Sequence, residues 1–148
     1  MNPMKNRQNE DYHLEYQEEP IPADEKILFN GINDDAAKKK GMERVKPFRI
    51  YIKDSTQSVL AGATGVTRYG CLYVNLLWVK ESFRGRGFGK KLMQEAEKIA
   101  QERKCTFATV NTMDWEALSF YQSIGYRIEF VREGFDKASK MYMLRKKL

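Results

Sequence analysis

The sequence is poor in the residues that hold metals or cross-link a chain: one histidine, His13, and two cysteines, Cys71 and Cys105, in 148 residues. A lone imidazole and two separated thiols supply no ligand set with the spacing of a zinc site, so no metal is expected. Both cysteines lie in apolar stretches that read as strands, which suits reduced core thiols in a cytoplasmic protein better than a disulfide. No apolar run approaches the ~20 residues that span a bilayer, so no membrane partner is expected. The opening residues 1–12, MNPMKNRQNEDY, are polar without an apolar centre and read as a loose tail rather than a secretory signal. Internal repeats and low-complexity linkers are also missing, so residues 13–148 read as one domain.

What is present fits a soluble globular chain: 42% hydrophobic and 31% charged residues exclude the disordered class. The net charge of +6 is unevenly spread. Residues 1–40 carry six Lys/Arg against nine Asp/Glu, net −3, while the remainder carries 20 against 11, net +9. An acidic segment therefore precedes a basic body. Such a body attracts polyanions, and charge alone does not separate nucleic acid from a small polyanionic cofactor.

The pattern along the chain predicts a mixed α/β order. YHLEYQE alternates and reads as a first strand. The stretch from Asp24 to Lys40 reads as a helix with Ile27, Leu28 and Ile32 on one side, broken or kinked at Asn30-Gly31. Lys38–Lys40 suit its C-terminal dipole. Three strand-like runs follow: PFRIYIKD, SVLAGATGVTRYG and CLYVNLLWV. A helix then carries Leu92, Ala96 and Ile99 on one stripe and Met93 and Ala100 on the next. CTFATVNT reads as a short strand and DWEALSFYQSIG as a helix, with Asp114 as N-cap and Gly125 as stop. YRIEFVRE and KMYMLRKKL close the chain as antiparallel neighbours.

The stretch FRGRGFGKK, between the central strand and its helix, packs three glycines and four cations into nine residues. A helix start leaves its first backbone N–H groups unpaired and carries about half a positive charge. Glycine lets a ligand approach the main chain closely, and Arg84, Arg86, Lys90 and Lys91 add full charges. Together these read as a phosphate-binding turn. A P-loop would need glycine at position 84 and Ser/Thr at position 91, where Arg84 and Lys91 stand. A dinucleotide fingerprint fails at Lys90 or Leu92, whichever glycine it starts from.

LWVKESFRGRGFGKKLMQEAEKIA resembles the acetyl-CoA signature of the GNAT superfamily of N-acetyltransferases, Arg/Gln-x-x-Gly-x-Gly/Ala, met by Arg84, Gly87 and Gly89. DWEALSFYQSIGY resembles the family's second block, through Ala117, Phe120, Tyr121, Gly125 and Tyr126. The resemblance implies a central mixed sheet of about six to seven strands, splayed between its fourth and fifth, with flanking helices. It implies acetyl-CoA as acetyl donor, its pantetheine arm along Leu77, Trp78 and Val79. Its pyrophosphate would lie on the amides of Arg84, Gly85, Arg86, Gly87, Phe88, Gly89 and Lys90. Glu81 stands where the family often has proline. Asp114 stands where it often has asparagine, and is carried both as a cofactor-binding candidate and as a cap.

The expected chemistry is acetyl transfer to an amine of a small molecule, peptide or protein. A backbone N–H of Leu77 or Trp78 would polarise the thioester carbonyl. Tyr121, in the motif position, would protonate the departing thiolate as general acid. For the general base, Tyr73 or Asn75 would position a water and Glu15 would reach the acceptor mouth; an amine arriving neutral needs none. Residues 20–45 and the TRYGC turn are the expected acceptor region, where Asp24, Glu25, Asp34 and Asp35 suit a cationic amine. Two other readings stand beside this one. The first is a basic nucleic-acid module, which the absence of repeated exposed aromatics or a groove-reading helix disfavours. The second is an acyl-CoA-binding sensor without turnover on the same fold. A monomer and a homodimer paired through C-terminal edge strands both fit.

Overall fold

Antiparallel strands β1 (Lys46–Lys53), β2 (Val59–Arg68) and β3 (Cys71–Val79) follow one another through tight connections. The chain then crosses over through helix α2 (Phe88–Glu102) to β4 (Phe107–Met113), parallel to β3. Helix α3 (Leu118–Ser123) leads to β5 (Arg127–Phe135) and β6 (Ser139–Lys147), and β6 inserts between β4 and β5. The sheet has six strands in the order β1-β2-β3-β4-β6-β5. The structure, a computed structural model, describes residues 11–148; ten of the twelve residues expected to form the tail lie outside that range.

The α2 crossover is amphipathic as its spacing predicts. Leu92, Met93, Ala96 and Ala100 are buried against the sheet, beside Ala61, Ala63, Leu72, Val74, Ala108, Val110 and Leu144. Small alanines on both surfaces let helix and sheet approach closely. Gly65 carries this further: a Cβ there would run into the Tyr73 carbonyl oxygen and meet the Phe48 ring at 2.9 Å.

Three expectations are corrected. Residues 12–18 form no strand; Tyr12, Leu14 and Tyr16 are exposed, and alternation without a neighbour to pair with does not make one. The expected fourth and fifth strands are therefore β3 and β4. Helix α1 runs unbroken from Pro22 to Lys40 through Asn30-Gly31. A mid-helix glycine costs only about 1 kcal/mol, and Asn30 accepts a hydrogen bond from Arg44 (2.7 Å). The third concerns Asp114, which caps nothing. Residues 114–117 form a turn, the cap position of α3 is Ala117, and its N–H donates to Thr112 Oγ1 (3.1 Å). Both cysteines are free.

A side chain at Gly65 has no room, because both of its obstacles belong to the packed sheet. Gly65→Ala is expected to destabilise the protein by at least about 2 kcal/mol, read as a lowered denaturant midpoint with an unchanged slope.

Candidate active site

β3 and β4 pair only from Cys71 to Val74 and from Phe107 to Val110. Beyond those residues β3 stays with β2 and β4 with β6, so the sheet opens between them. A bulge sits at the point of parting: Thr64 opposes Leu76 and Gly65 opposes Val74, leaving Asn75 as the extra residue. The bulge reverses the alternation, so Leu72 and Val74 before it and Leu77 and Val79 after it face the α2 side. Lys80 N–H donates to Leu60 O (2.8 Å). By strand alternation the main-chain groups of Leu77 and Val79 then point into the opening, while those of Trp78 are spent on β2.

The β3–α2 connection frames the other side. A 3₁₀ turn at Glu81–Phe83 leads to Gly85 and Gly87, both left-handed with φ of 74° and 80° and with open space where a Cβ would stand. Gly87 caps α2 and accepts its first intrahelical bond, from Lys91 N–H (3.0 Å). The amides of Phe88, Gly89 and Lys90 are left without helical partners. Arg84 Nε donates to Val79 O (3.0 Å), tying the loop to the parted strand. The Phe83 and Phe88 rings stack at 6.0 Å, and the Arg86 guanidinium lies 4.8 Å from the Phe83 ring. At Gly89 a Cβ would stand 3.2 Å from the Phe120 ring, so glycine there lets α2 and α3 close on each other.

These elements enclose a cleft of roughly 700 Å³. Leu77, Trp78, Val79, Arg84, Gly85, Gly87, Phe88, Gly89, Lys90 and Tyr121 all line it. Of the expected site residues, Arg86 and Asp114 do not. Asp114 bonds with β6 instead: its N–H donates to Lys140 O (3.0 Å) and its carboxylate accepts from Lys140 N–H (3.3 Å). The lining also holds Trp115 and Glu116, which sequence reasoning did not select. They sit in the turn before α3 and carry no periodic signal. His13 and Glu15 form an exposed pair, and neither Tyr73 nor Asn75 lines the cleft.

Tyr121 is 6% exposed, with its ring against Phe120 (5.2 Å) and Tyr126 (5.8 Å). Its hydroxyl makes no hydrogen bond to a described residue, yet no described buried side-chain polar atom lacks a partner. The hydroxyl therefore opens onto the cleft. Burial, and secondarily the Glu116 carboxylate, push its pKa up to about 12. Behind it Tyr126 donates to Glu97 Oε1 (3.0 Å), and Lys146 Nζ donates to both Glu97 oxygens (3.1 and 2.9 Å). Burial and Glu97 raise the Tyr126 pKa further still. Among the described residues no cluster of His, Cys, Asp and Glu could hold a metal ion.

The model of the acetyltransferase (GNAT) family matches residues 2–126. An acetyltransferase of Agrobacterium fabrum is 40% identical over 81 residues, which are 55% of this chain and 59% of that protein. Blasticidin-S acetyltransferase of Streptomyces morookaense is 32% identical over 97 residues, 63% of this chain and 71% of that protein. Among solved structures, an acetyltransferase candidate from Agrobacterium tumefaciens superposes with a TM-score of 0.78 at 27% identity, covering 93% of this chain and all of that one.

The raised Tyr121 pKa has a consequence for stability. The unfolded chain releases this proton near pH 10, and the folded chain holds it to about 12. The stabilisation is complete below pH 10 and is lost as pH rises through 12. Two pKa units correspond to about 2–3 kcal/mol. Urea unfolding between pH 9 and pH 12 should show this decline, and Tyr121→Phe should lack the Tyr121 share while keeping that of Tyr126.

Proposed function

Because the chain belongs to the acetyltransferase (GNAT) family, we propose that it moves an acetyl group from acetyl-CoA to a primary amine. The acceptor is a small molecule or a peptide or protein amine, attacking directly without a covalent enzyme intermediate. The observation that carries this reading is the single cleft in which an opened parallel strand pair, a run of unpaired helix-start amides and a buried phenol meet.

The residues present suit acetyl-CoA. The amides of Phe88, Gly89 and Lys90 face an anion with no side chain at Gly85 or Gly87 to bar it. Lys90 adds full charge, and so does the part of Arg84 not spent on Val79 O. Leu77 and Val79 offer main-chain groups to an amide-bearing arm lying in the opening. Acetyl-CoA supplies an activated acyl group and a thiolate leaving group. The Leu77 N–H, unspent in the opening, is the main-chain donor that would polarise an acyl oxygen held there. Tyr121 Oη keeps its proton at neutral pH and donates it towards the cleft, as a general acid must. Trp78, 52% exposed, and Trp115 offer flat apolar surfaces at the mouth, and Glu116 offers a carboxylate to an acceptor cation. That blasticidin-S acetyltransferase is a relative favours a small-molecule amine.

Two measurements test this. Acetyl-CoA at 100 times its Kd should stabilise the fold by about 2.7 kcal/mol, and no thermal shift at saturating cofactor would refute the assignment. In a CoA-release assay, Tyr121→Phe should lower kcat by roughly 100-fold or more with the acetyl-CoA Kd nearly unchanged. Unaltered turnover would remove Tyr121 from the proton transfer.

A further inference from the structure

Residues 11–40 form an arm that the rest of the chain barely touches. Helix α1 makes at most glancing contact with the strands and other helices. Its attachments are local: Asn33 Oδ1 accepts from Val45 N–H (2.7 Å), and Arg44 donates to Asp34 (3.0 Å) and Asn30 (2.7 Å). The opposite side carries Leu28 and Ile32, 69% and 63% exposed. Tyr12, Leu14, Tyr16, Ile21 and Ile27 are exposed along the same arm. Such a helix does not stand alone in water. It lacks a side-chain N-cap and holds a glycine at mid-length, and lone helices little shorter than this are marginal even when alanine-rich.

A second open surface lies on the sheet. Helix α2 covers one face, and the alternation that buries Phe48, Ala61, Ala63, Leu72, Ala108 and Leu144 there turns their neighbours outward. The uncovered face is set with cations over aromatic rings: Lys53 on Tyr51 (5.8 Å), Arg68 on Tyr73 (5.5 Å), Arg145 on Phe107 (3.9 Å) and Arg132 on Phe130 (5.9 Å). It is basic and apolar. From Asp11 to Asp35 the arm holds eight carboxylates and one lysine, so it is acidic and apolar. The two surfaces complement each other in charge.

The total area points the same way. The chain exposes 11,874 Å², whereas a compact monomer of its 17.3 kDa exposes ~7,800 Å². Crediting the ten residues before Asp11 with all the surface an extended decapeptide can show, ~1,800 Å², still leaves an excess of roughly 2,300 Å². A stable protein–protein interface takes about 800 Å² from each partner. The three hydrogen bonds at Asn33 and Arg44 hold α1 against the linker before β1 with its apolar side turned to solvent. In this arrangement α1 does not lie on the chain's own sheet.

We propose that the acidic arm, residues 11–40, docks on the uncovered sheet face of a second copy of this chain, reciprocally, forming an arm-exchanged homodimer. This differs from pairing through C-terminal edge strands, because the contact is helix on sheet face. It also stands apart from the acetyltransferase reading, since neither surface supplies the cleft apart from Trp78 at its rim.

Light scattering of the full chain at micromolar concentration and low salt tests it. The wild type should weigh twice 17.3 kDa, and salt should weaken the association. Leu28→Glu with Ile32→Glu on the arm, or Arg49→Glu with Tyr51→Glu on the face, should each weaken it ~100-fold or more. All four residues are surface positions, and an unchanged far-UV spectrum and acetyl-CoA thermal shift verify the fold. A wild type that stays monomeric overturns the proposal, as does a dimer indifferent to either pair of substitutions. A monomer that binds single-stranded RNA through Arg49 and Tyr51 would make the face a nucleic-acid platform instead, and overturns it equally.

Discussion

The whole arrangement depends on two parallel strands that stop pairing halfway. Parallel neighbours are ordinarily held along their length, and unpaired main-chain groups are costly wherever water cannot reach them. Here the pairing ends at Val74 and Val110, and the Asn75 bulge bends β3 away while keeping its bonds to β2. The groups of Leu77 and Val79 are thereby freed, and one of them is taken at once by Arg84. A complete β3–β4 ladder would satisfy all of them and leave no cleft.

Holding that opening requires rigidity behind it. α2 and α3 close on each other at Gly89 and Phe120. The carboxylate of Glu97 gathers Tyr126, at the start of the chain leading into β5, and Lys146 of β6 onto α2. Phe120, Tyr121 and Tyr126 form a contiguous aromatic row between that anchor and the cleft. The phenol facing the cleft is thus fixed by packing on one side and, among the described residues, free of hydrogen bonds on the other. This is what keeps it both protonated and available.

Much of this was legible in the sequence, because the signals involved are local. The stripe from Leu92 to Ala100, the glycines at 85, 87 and 89 and the strand runs from Pro47 to Val79 each declare themselves within a short window. The glycine–cation loop reads as an anion site from backbone chemistry alone, and the resemblance supplies the anion proposed for it. What escaped depended on contacts distant in sequence. Residues 12–18 alternate like a strand, but no edge receives them. Asp114 has the chemistry of a cap, yet Lys140 claims its main chain and its carboxylate, 26 residues away. Trp115 and Glu116 belong to the cleft only because the turn before α3 folds over it. The parting of β3 from β4 has no pattern of its own in CLYVNLLWV; it entered through the family and is visible in the register.

The proposed chemistry still needs a neutral amine, and Tyr73, Asn75 and Glu15, the residues considered for the base or for positioning its water, all lie outside the cleft lining. The field of the body offers a different route. Residues 41–148 carry a net charge of +9, a field felt by any cation that approaches. A like charge within several ångströms lowers the pKa of an ammonium group. A depression of about one unit multiplies the neutral fraction tenfold at neutral pH. Glu116 pulls the other way, since a carboxylate stabilises the cation. It lies in the turn with Trp115 and acts on Tyr121 closely enough to raise the phenol's pKa, so the attraction that gathers the acceptor also reaches the reacting end. On this reading the basic body and Glu116 oppose each other at the amine, and an acceptor that arrives neutral needs no dedicated base.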